Sequence, residues 1–374
     1  MTEIHRLVQR TSLNVFLLVV SFALAVLFAE VIVRFVSPQN LTGSWVVETS
    51  KGLFLNKSSG TAKHQFDKHI VNYKFYEPHL RDTPLTADGI RILILGDSYA
   101  FGWLLDKADT YAHRLQEYSD KKFKAGTFRF LNAATGGWGT ADYVAFVEDY
   151  GQVIRPKIIV VFINTDDIGR SIKRDIYTME DSHDARLVRN TMEPSSLRKL
   201  ARSLPGYQWL LENSHLFQLA RKIGYHVVNS PDVPKMIASE GNKGPNSTGL
   251  NTSPRKATLL GQALFRRLKE WCDAHDVLLL VTTTGWHKES VARSSSESTE
   301  EFMLGAQRFF RNIRTSFLDV SDAVARERKK GGVFTIQGDG HPNEAGSKLT
   351  IDNVWNLFLQ GELTKYCRTT GRCS

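Results

Sequence analysis

Ile90-Arg91-Ile92-Leu93-Ile94-Leu95-Gly96-Asp97-Ser98 is the stretch on which the reading of this chain turns. A short apolar run rich in β-branched residues, closed by a glycine, predicts a buried strand. Working outward, Phe128-Arg129-Phe130-Leu131 predicts a second strand, ending at Asn132, and Ile158–Ile163, introduced by Pro156, a third. Val277–Thr282 and Phe317–Val320 supply a fourth and a fifth. Helical spacing falls between them: 109–118 capped by Asp109, 140–153, 257–274, 300–313, and a closing helix over 344–359. Strands alternating with helices predict a three-layer α/β/α sandwich around a mainly parallel, flavodoxin-like sheet. Residues 170–255 break the rhythm with a polar stretch, a predicted helix over 207–223 and a Gly/Asn/Ser/Pro-rich segment, 241–254. This is an insertion at the carboxyl end of the third strand, where open α/β sheets place ligands.

Ahead of the first strand, Val15–Val36 is apolar apart from Ser21, Glu30 and Arg34. Its length suits one helical crossing of a hydrocarbon core about 30 Å thick. Glu30 and Arg34 are four apart and can pair on one helix face near the far interface. Arg6 and Arg10 precede the run, which predicts a cytoplasmic amino terminus and a body on the periplasmic or otherwise extracytoplasmic side. A cleaved signal peptide is the competing reading, since Ala23-Leu24-Ala25 resembles a cleavage site, but the apolar run continues well past it. A buried core helix would rarely be apolar on every face.

At 374 residues and 42% hydrophobic, the chain can bury a full core. The net charge of +9 comes from dispersed Lys and Arg without interleaved aromatics, so nucleic acid is not an expected partner. The densest run, Arg326–Lys330, reads as the solvated end of a helix before Gly331-Gly332. Three cysteines carry no CxxC, and no HExxH or HxH pair marks a metal, so neither a metal nor a cofactor is expected. Cys367 and Cys373 flank a short polar loop and can close a disulfide in an oxidising compartment; Cys272 reads as a buried thiol. His287 reads as a loop histidine. Sequons at Asn40, Asn56, Asn246 and Asn251 matter only in a host that glycosylates secreted chains.

Three strand ends carry residues that chemistry can use. Ser98 directly follows a buried strand where the chain turns toward a helix, which exposes a hydroxyl beside backbone N–H donors. Asn132-Ala-Ala-Thr-Gly136-Gly137-Trp138-Gly139 offers glycines that let amides approach a bound group. Gly338-Asp339-Gly340-His341-Pro342-Asn343 supplies a histidine with a carboxylate two residues before it. A hydroxyl becomes a useful nucleophile when a neutral imidazole accepts its proton and a carboxylate orients that imidazole.

The joint order, strand-GDS, strand-Asn-…-Gly and Asp-x-His before the last helix, resembles the SGNH/GDSL hydrolase superfamily over most of residues 88–360. With its amino-terminal apolar helix and a lead-in like Asn72-Tyr73-…-Arg81, the chain looks like the bacterial membrane-anchored members. The resemblance implies Ser98 as nucleophile and oxyanion donor, Gly137 as second donor, His341 as general base and Asp339 as its orienting acid. It implies no cofactor, and cleavage of acyl (acetyl) esters of carbohydrate or a related envelope substrate. O-acetyl transfer to a surface glycan, or a catalytically weak glycan-binding domain, are the alternatives. The layout it implies is a cytoplasmic tail (1–14), a transmembrane anchor (15–36), a stalk and lead-in (37–89), a hydrolase-like domain (90–360) and a carboxyl-terminal tail (361–374).

Two departures bear on that reading. The family's aspartate usually stands three residues before the histidine; here it is two. The third block, expected as Gly-x-Asn-Asp, reads Asn164-Thr165-Asp166-Asp167, so Asp166 occupies the oxyanion-hole asparagine position. An ionised carboxylate there would repel an oxyanion. Either Asp166 is protonated, Asn164 substitutes for it, or this donor is absent.

Overall fold

The computed structural model describes all residues except 1, 50–51, 86–87, 165, 181–185, 191–199, 201–202, 229–253, 287–296 and 374. His287, Asn246 and Asn251 therefore lie outside the described residues. The chain divides into two compact units, one of residues 1–44, 63–70 and 199–241, the other of 45–62, 71–198 and 242–374.

The five predicted strands lie in the second unit, and among the described residues seven further strands accompany them. In chain order they are β1 (Val46–Glu48), β2 (Phe54–Asn56), β3 (Gly60–Phe66), β4 (His69–Tyr76), β5 (Leu80–Arg81), β6 (Ile90–Leu95), β7 (Phe128–Asn132), β8 (Ile158–Ile163), β9 (Tyr177–Met179), β10 (Leu187–Arg189), β11 (Leu278–Thr283) and β12 (Ser316–Leu318). The main sheet runs β12-β11-β8-β6-β7-β5-β4-β3. From β12 to β7 every pairing is parallel, with Val160 of β8 opposite both Ile94 and Leu280. Counting only these parallel strands, the order is 2-1-3-4-5, the flavodoxin-like arrangement, whose chain direction switches between β6 and β8. The stretch expected as stalk and lead-in instead supplies strands, and β5 joins β7 antiparallel through Arg81 opposite Asn132.

Two hydrophobic clusters, one on each face of the sheet, follow from strand alternation. Leu93, Leu95, Ile159, Val161, Leu279 and Val281 point into one. There they meet α4 (Thr140–Ile154), α8 (Pro254–Ala274) and α9 (Glu297–Asn312). Ile92, Ile94, Ile158, Val160 and Phe162 point into the other, against α3 (Tyr111–Lys122) and α11 (Glu344–Val354). A sheet covered on both faces explains why its strands read as continuous apolar runs. Each fully buried Leu, Ile, Val or Phe contributes about 1.5–3 kcal/mol.

The remaining helices are α1 (Thr2–Val36), α2 (Ser98–Phe101), α5 (Asp167–Arg174), α6 (Tyr207–Asn213), α7 (His215–Val228), α10 (Ser321–Lys329) and α12 (Gln360–Thr370). Several differ from the sequence expectation. The cap of α3 is Thr110, whose hydroxyl accepts the His113 N–H; Asp109 lies in a preceding 3₁₀ turn and pairs with Arg114 at 2.5 Å. The helix expected over 207–223 is two, broken at Ser214. The closing helix passes through a π turn, Trp355–Leu359, and continues to Thr370. A disulfide joins Cys367, near the end of that helix, to Cys373 beyond it, and Cys272 is a buried free thiol. Asn56 is fully buried with its amide donating to Ala134 O (3.0 Å), so its sequon is not an acceptor in the folded chain.

Arg81 is a buried arginine whose guanidinium serves the backbone. It donates to the carbonyls of Phe101, Gly102 and Leu105 at 2.6, 2.6 and 2.5 Å and to Asp82 at 2.8 Å. Its planar face lies over the rings of Tyr73 and Phe101, 4.2 and 4.5 Å from their centroids. It thereby satisfies carbonyls at the end of α2 that the sheet cannot reach. Arg81→Leu is expected to lower folding stability by about 3 kcal/mol, because those buried acceptors and Asp82 lose their partner. Thermal and denaturant unfolding would check this, and an unchanged midpoint would contradict it.

Candidate active site

The carboxyl ends of β6, β7 and β8 lie side by side at the point where strand order reverses, and each carries one sequence-predicted group. Ser98 begins α2 immediately after β6. Asp97 caps that helix, its Oδ1 accepting the Tyr99 N–H at 2.9 Å, which fixes the backbone on both sides of the serine. Ser98 is almost fully buried, and its Oγ lies 2.8 Å from His341 Nε2. His341 Nδ1 lies 2.6 Å from Asp339 Oδ1.

The two-residue spacing of that carboxylate and imidazole has a local cause. Asp339 Oδ1 also accepts the backbone N–H of His341 at 3.2 Å, an Asx-turn that returns the carboxylate over its own chain. Gly338 and Gly340 flank it at φ 83° and 94°, values that a residue with a Cβ seldom adopts. Ile336 N–H closes the loop on His341 O at 2.8 Å. A carboxylate two residues before the histidine thus reaches the ring because the glycines permit the curl.

Trp103 completes this group and was not singled out from sequence. Its Nε1 donates to Asp339 Oδ2 at 3.3 Å, and its ring stacks on His341 with centroids 5.3 Å apart and planes 27° apart. Burial opposes the charge of Asp339, but the hydrogen bonds and charge of His341 and the Trp103 bond outweigh it. The carboxyl is held below its ordinary range. Its ionised form is therefore kept beside the imidazole.

Gly137 is exposed, with φ 81°, and a Cβ there would meet nothing within 4 Å, so the turn requires glycine for its backbone and not for space. Trp138 N–H bonds Thr135 O and Thr135 N–H bonds Gly96 O, at 3.2 Å each. Among the described residues, no hydrogen bond engages the N–H of Gly137 or of Ser98. Gly136 lies close to the Trp103 ring: a Cβ there would stand 3.3 Å from it, and 3.9 Å, an ordinary contact, from Ser98 Cβ.

At the end of β8, Asn164 directs its amide to Asp97 Oδ2 at 2.9 Å, and Arg170 Nη1 reaches the same oxygen at 2.8 Å. Asp166, at the position expected of an oxyanion asparagine, is more than a third exposed and pairs with Arg170 at 3.4 Å. Asp167 is buried and accepts the Asn164 N–H (2.8 Å) and the Tyr143 hydroxyl (2.7 Å) on one oxygen. Burial opposes the charge of Arg170, but the carboxylates of Asp97 and Asp167 outweigh it and raise its affinity for its proton. Burial, reinforced by the charge of Asp97, pushes the Asp167 carboxyl well above its ordinary range. Arg170 had no sequence signal, because its importance lies in three carboxylates brought to it by two strand ends. The described residues hold no cluster of His, Cys, Asp and Glu that would bind a metal ion.

No family model matches the sequence, and no curated protein matches it. The structure is similar to that of TesA, at 14% identity with a TM-score of 0.37, covering 71% of this chain and 96% of that one. It is similar to the acetyl xylan esterase AlAXEase, at 12% identity and TM-score 0.41, over 72% and 100% of the two chains. A third is a member of the lipolytic protein G-D-S-L family from Veillonella parvula, at 11% identity and TM-score 0.40, over 72% and 98%.

The glycine turn is held from behind by Asp142, which accepts the Gly139 N–H at 2.9 Å and meets Arg174 at 2.8 Å. Burial pushes the Asp142 carboxyl up to about 6, against the pull of Arg174 and the Gly139 bond. A carboxyl raised on folding contributes stability that is full below its unfolded value, near 4, and lost as pH rises through about 6. Over that window Asp142 is expected to remove about 3 kcal/mol of folding stability. Denaturant unfolding of Asp142→Asn across pH 4 to 7 should show a flatter profile than the parent. Parallel profiles would contradict the assignment.

Proposed function

We propose that this chain is a serine ester hydrolase of the SGNH/GDSL kind, acting through a Ser98 acyl-enzyme. The observation that carries the reading is the continuous relay from Ser98 Oγ to His341 Nε2 (2.8 Å) and from His341 Nδ1 to Asp339 (2.6 Å). Ser98 Oγ attacks the ester carbonyl carbon as its proton passes to His341 Nε2, and Asp339 stabilises the imidazolium. The Ser98 and Gly137 N–H groups receive the oxyanion. On collapse the ester C–O bond breaks, and His341 returns the proton to the leaving alkoxide. Water then repeats the cycle, losing its proton to His341, and releases the carboxylic acid with Ser98 restored.

In this scheme Asn164 and Arg170 act through Asp97, which holds the serine's backbone, and Asn164 is the candidate third donor. Purified full-length chain is expected to react with an organophosphonate and to hydrolyse p-nitrophenyl acetate. Ser98→Ala should abolish labelling, and both it and His341→Ala should lower turnover about 10³-fold or more. Labelling that persists in Ser98→Ala would sink the assignment.

Following the family resemblance, we assign acetyl esters of carbohydrate as the substrate class. Chain length reports on this directly: kcat/KM should fall about tenfold or more from p-nitrophenyl acetate to the octanoate ester. A rise with chain length would replace the acetyl reading with a lipase-like one.

The same proposal places the hydrolase domain outside the cytoplasm, on a single-pass anchor. Among the described residues, Arg10–Val36 is long and apolar enough to cross a membrane, and Arg6 and Arg10 precede its apolar run. The Cys367–Cys373 disulfide supports an oxidising compartment.

A further inference from the structure

The smaller unit contains α1 and the pair α6–α7, and the polar residues of the apolar helix join them. Glu30 accepts the Ser214 hydroxyl (2.7 Å) and the N–H groups of His215 (3.0 Å) and Leu216 (2.9 Å) at the start of α7. Arg34 pairs with Glu30 at 3.3 Å and donates to Asn213 O, at the end of α6, at 3.2 Å. Both charged side chains of the apolar run are thus committed to one junction, Asn213–Leu216.

That junction sets a depth. From Val15, where the apolar run begins, to Glu30 a helix rises about 22 Å, so Glu30 stands in the outer part of a hydrocarbon core about 30 Å thick. Asn213 Nδ2 donates to Trp209 O, one helical turn back, which puts Trp209 about 6 Å along α6 from the clamp. Trp209 is 64% exposed, and Leu204 and Ile223 are each more than half exposed. Arg221 and Lys222, exposed on the same helix α7 as Ile223, carry the charge that anionic headgroups attract. A tryptophan at the edge of the hydrocarbon with neighbouring cations is the composition of a membrane–water interface.

We propose that Leu204, Trp209 and Ile223, with Arg221 and Lys222, form a lipid-contacting surface that lies in the headgroup region of the bilayer crossed by α1. The inference rests on the anchor reading above. The test uses the full chain reconstituted into phosphatidylcholine–phosphatidylglycerol vesicles carrying phospholipid brominated near the glycerol end of its acyl chains. No tryptophan lies in α1, so quenching reports on the rest of the chain. Tryptophan emission should fall by roughly one part in seven against unbrominated vesicles, given seven tryptophans, and the loss should vanish in Trp209→Phe.

Emission unaffected by the brominated lipid, or quenching retained in Trp209→Phe, would overturn the surface. Alkaline carbonate extraction of the same vesicles reads the anchor separately. A chain that resists extraction yet shows no quenching overturns the surface alone, whereas a chain released by carbonate overturns the anchor on which it rests.

Discussion

The buried carboxylate of Asp97 is the constraint on which the rest of the site depends. It follows β6 directly, receives the Asn164 amide from the end of β8 and the Arg170 guanidinium from α5, and caps the helix that Ser98 begins. Each donor comes from a different stretch of chain. Strands β6 and β8 are neighbours in the sheet, yet sheet hydrogen bonds stop short of the loops that follow them. Asp97 continues the connection past the last paired residues, so the serine is held at two levels, by the pleated sheet and by one charge-assisted cluster. A serine at the open end of a parallel sheet would otherwise inherit the freedom of its loop.

That cluster is electrostatically uneven. Three aspartates surround one arginine, and two of them are buried. Burial first, and then the nearby charge of Asp97, displaces the Asp167 carboxyl upward. The Tyr143 hydroxyl and the Asn164 N–H both donate to a single oxygen of Asp167, so that group serves the fold in either protonation state. Asp166, nearer solvent, pairs with Arg170 and is thereby drawn into the same balance. The carboxylate found where the family resemblance expects an asparagine is accordingly part of the guanidinium's surroundings.

How much of this was legible in the sequence depended on how local the cause was. The parallel strands were legible because burial on both faces demands uninterrupted β-branched runs, and β6, β7 and β8 fall within a residue of expectation. Ser98, His341 and Asp339 were legible because strand ends and glycines announce them. Trp103 and Arg170 were not, since each acquires its role from a partner distant in sequence, as Trp103 does from Asp339. The strands of 46–81 were also missed: β1, β2 and β5 are only two or three residues long, whereas β4 carries its own alternation, with Val71, Tyr73 and Phe75 buried between exposed Asn72 and Lys74. At α3 two adjacent residues, Asp109 and Thr110, were both competent caps, and the Arg114 pairing of the first left the second to cap the helix.

The loop that carries Asp339 and His341 has a mechanical consequence. Acid and imidazole are bonded to each other twice, through the ring and through the backbone N–H, within a span closed on itself between Ile336 and His341. They therefore travel as one rigid cassette. A displacement of the loop would carry the orienting bond along unbroken, and would change instead the distance to Ser98 and the contacts to Trp103. Alignment of the imidazole is a property of six consecutive residues, while its engagement with the serine is a property of the whole domain.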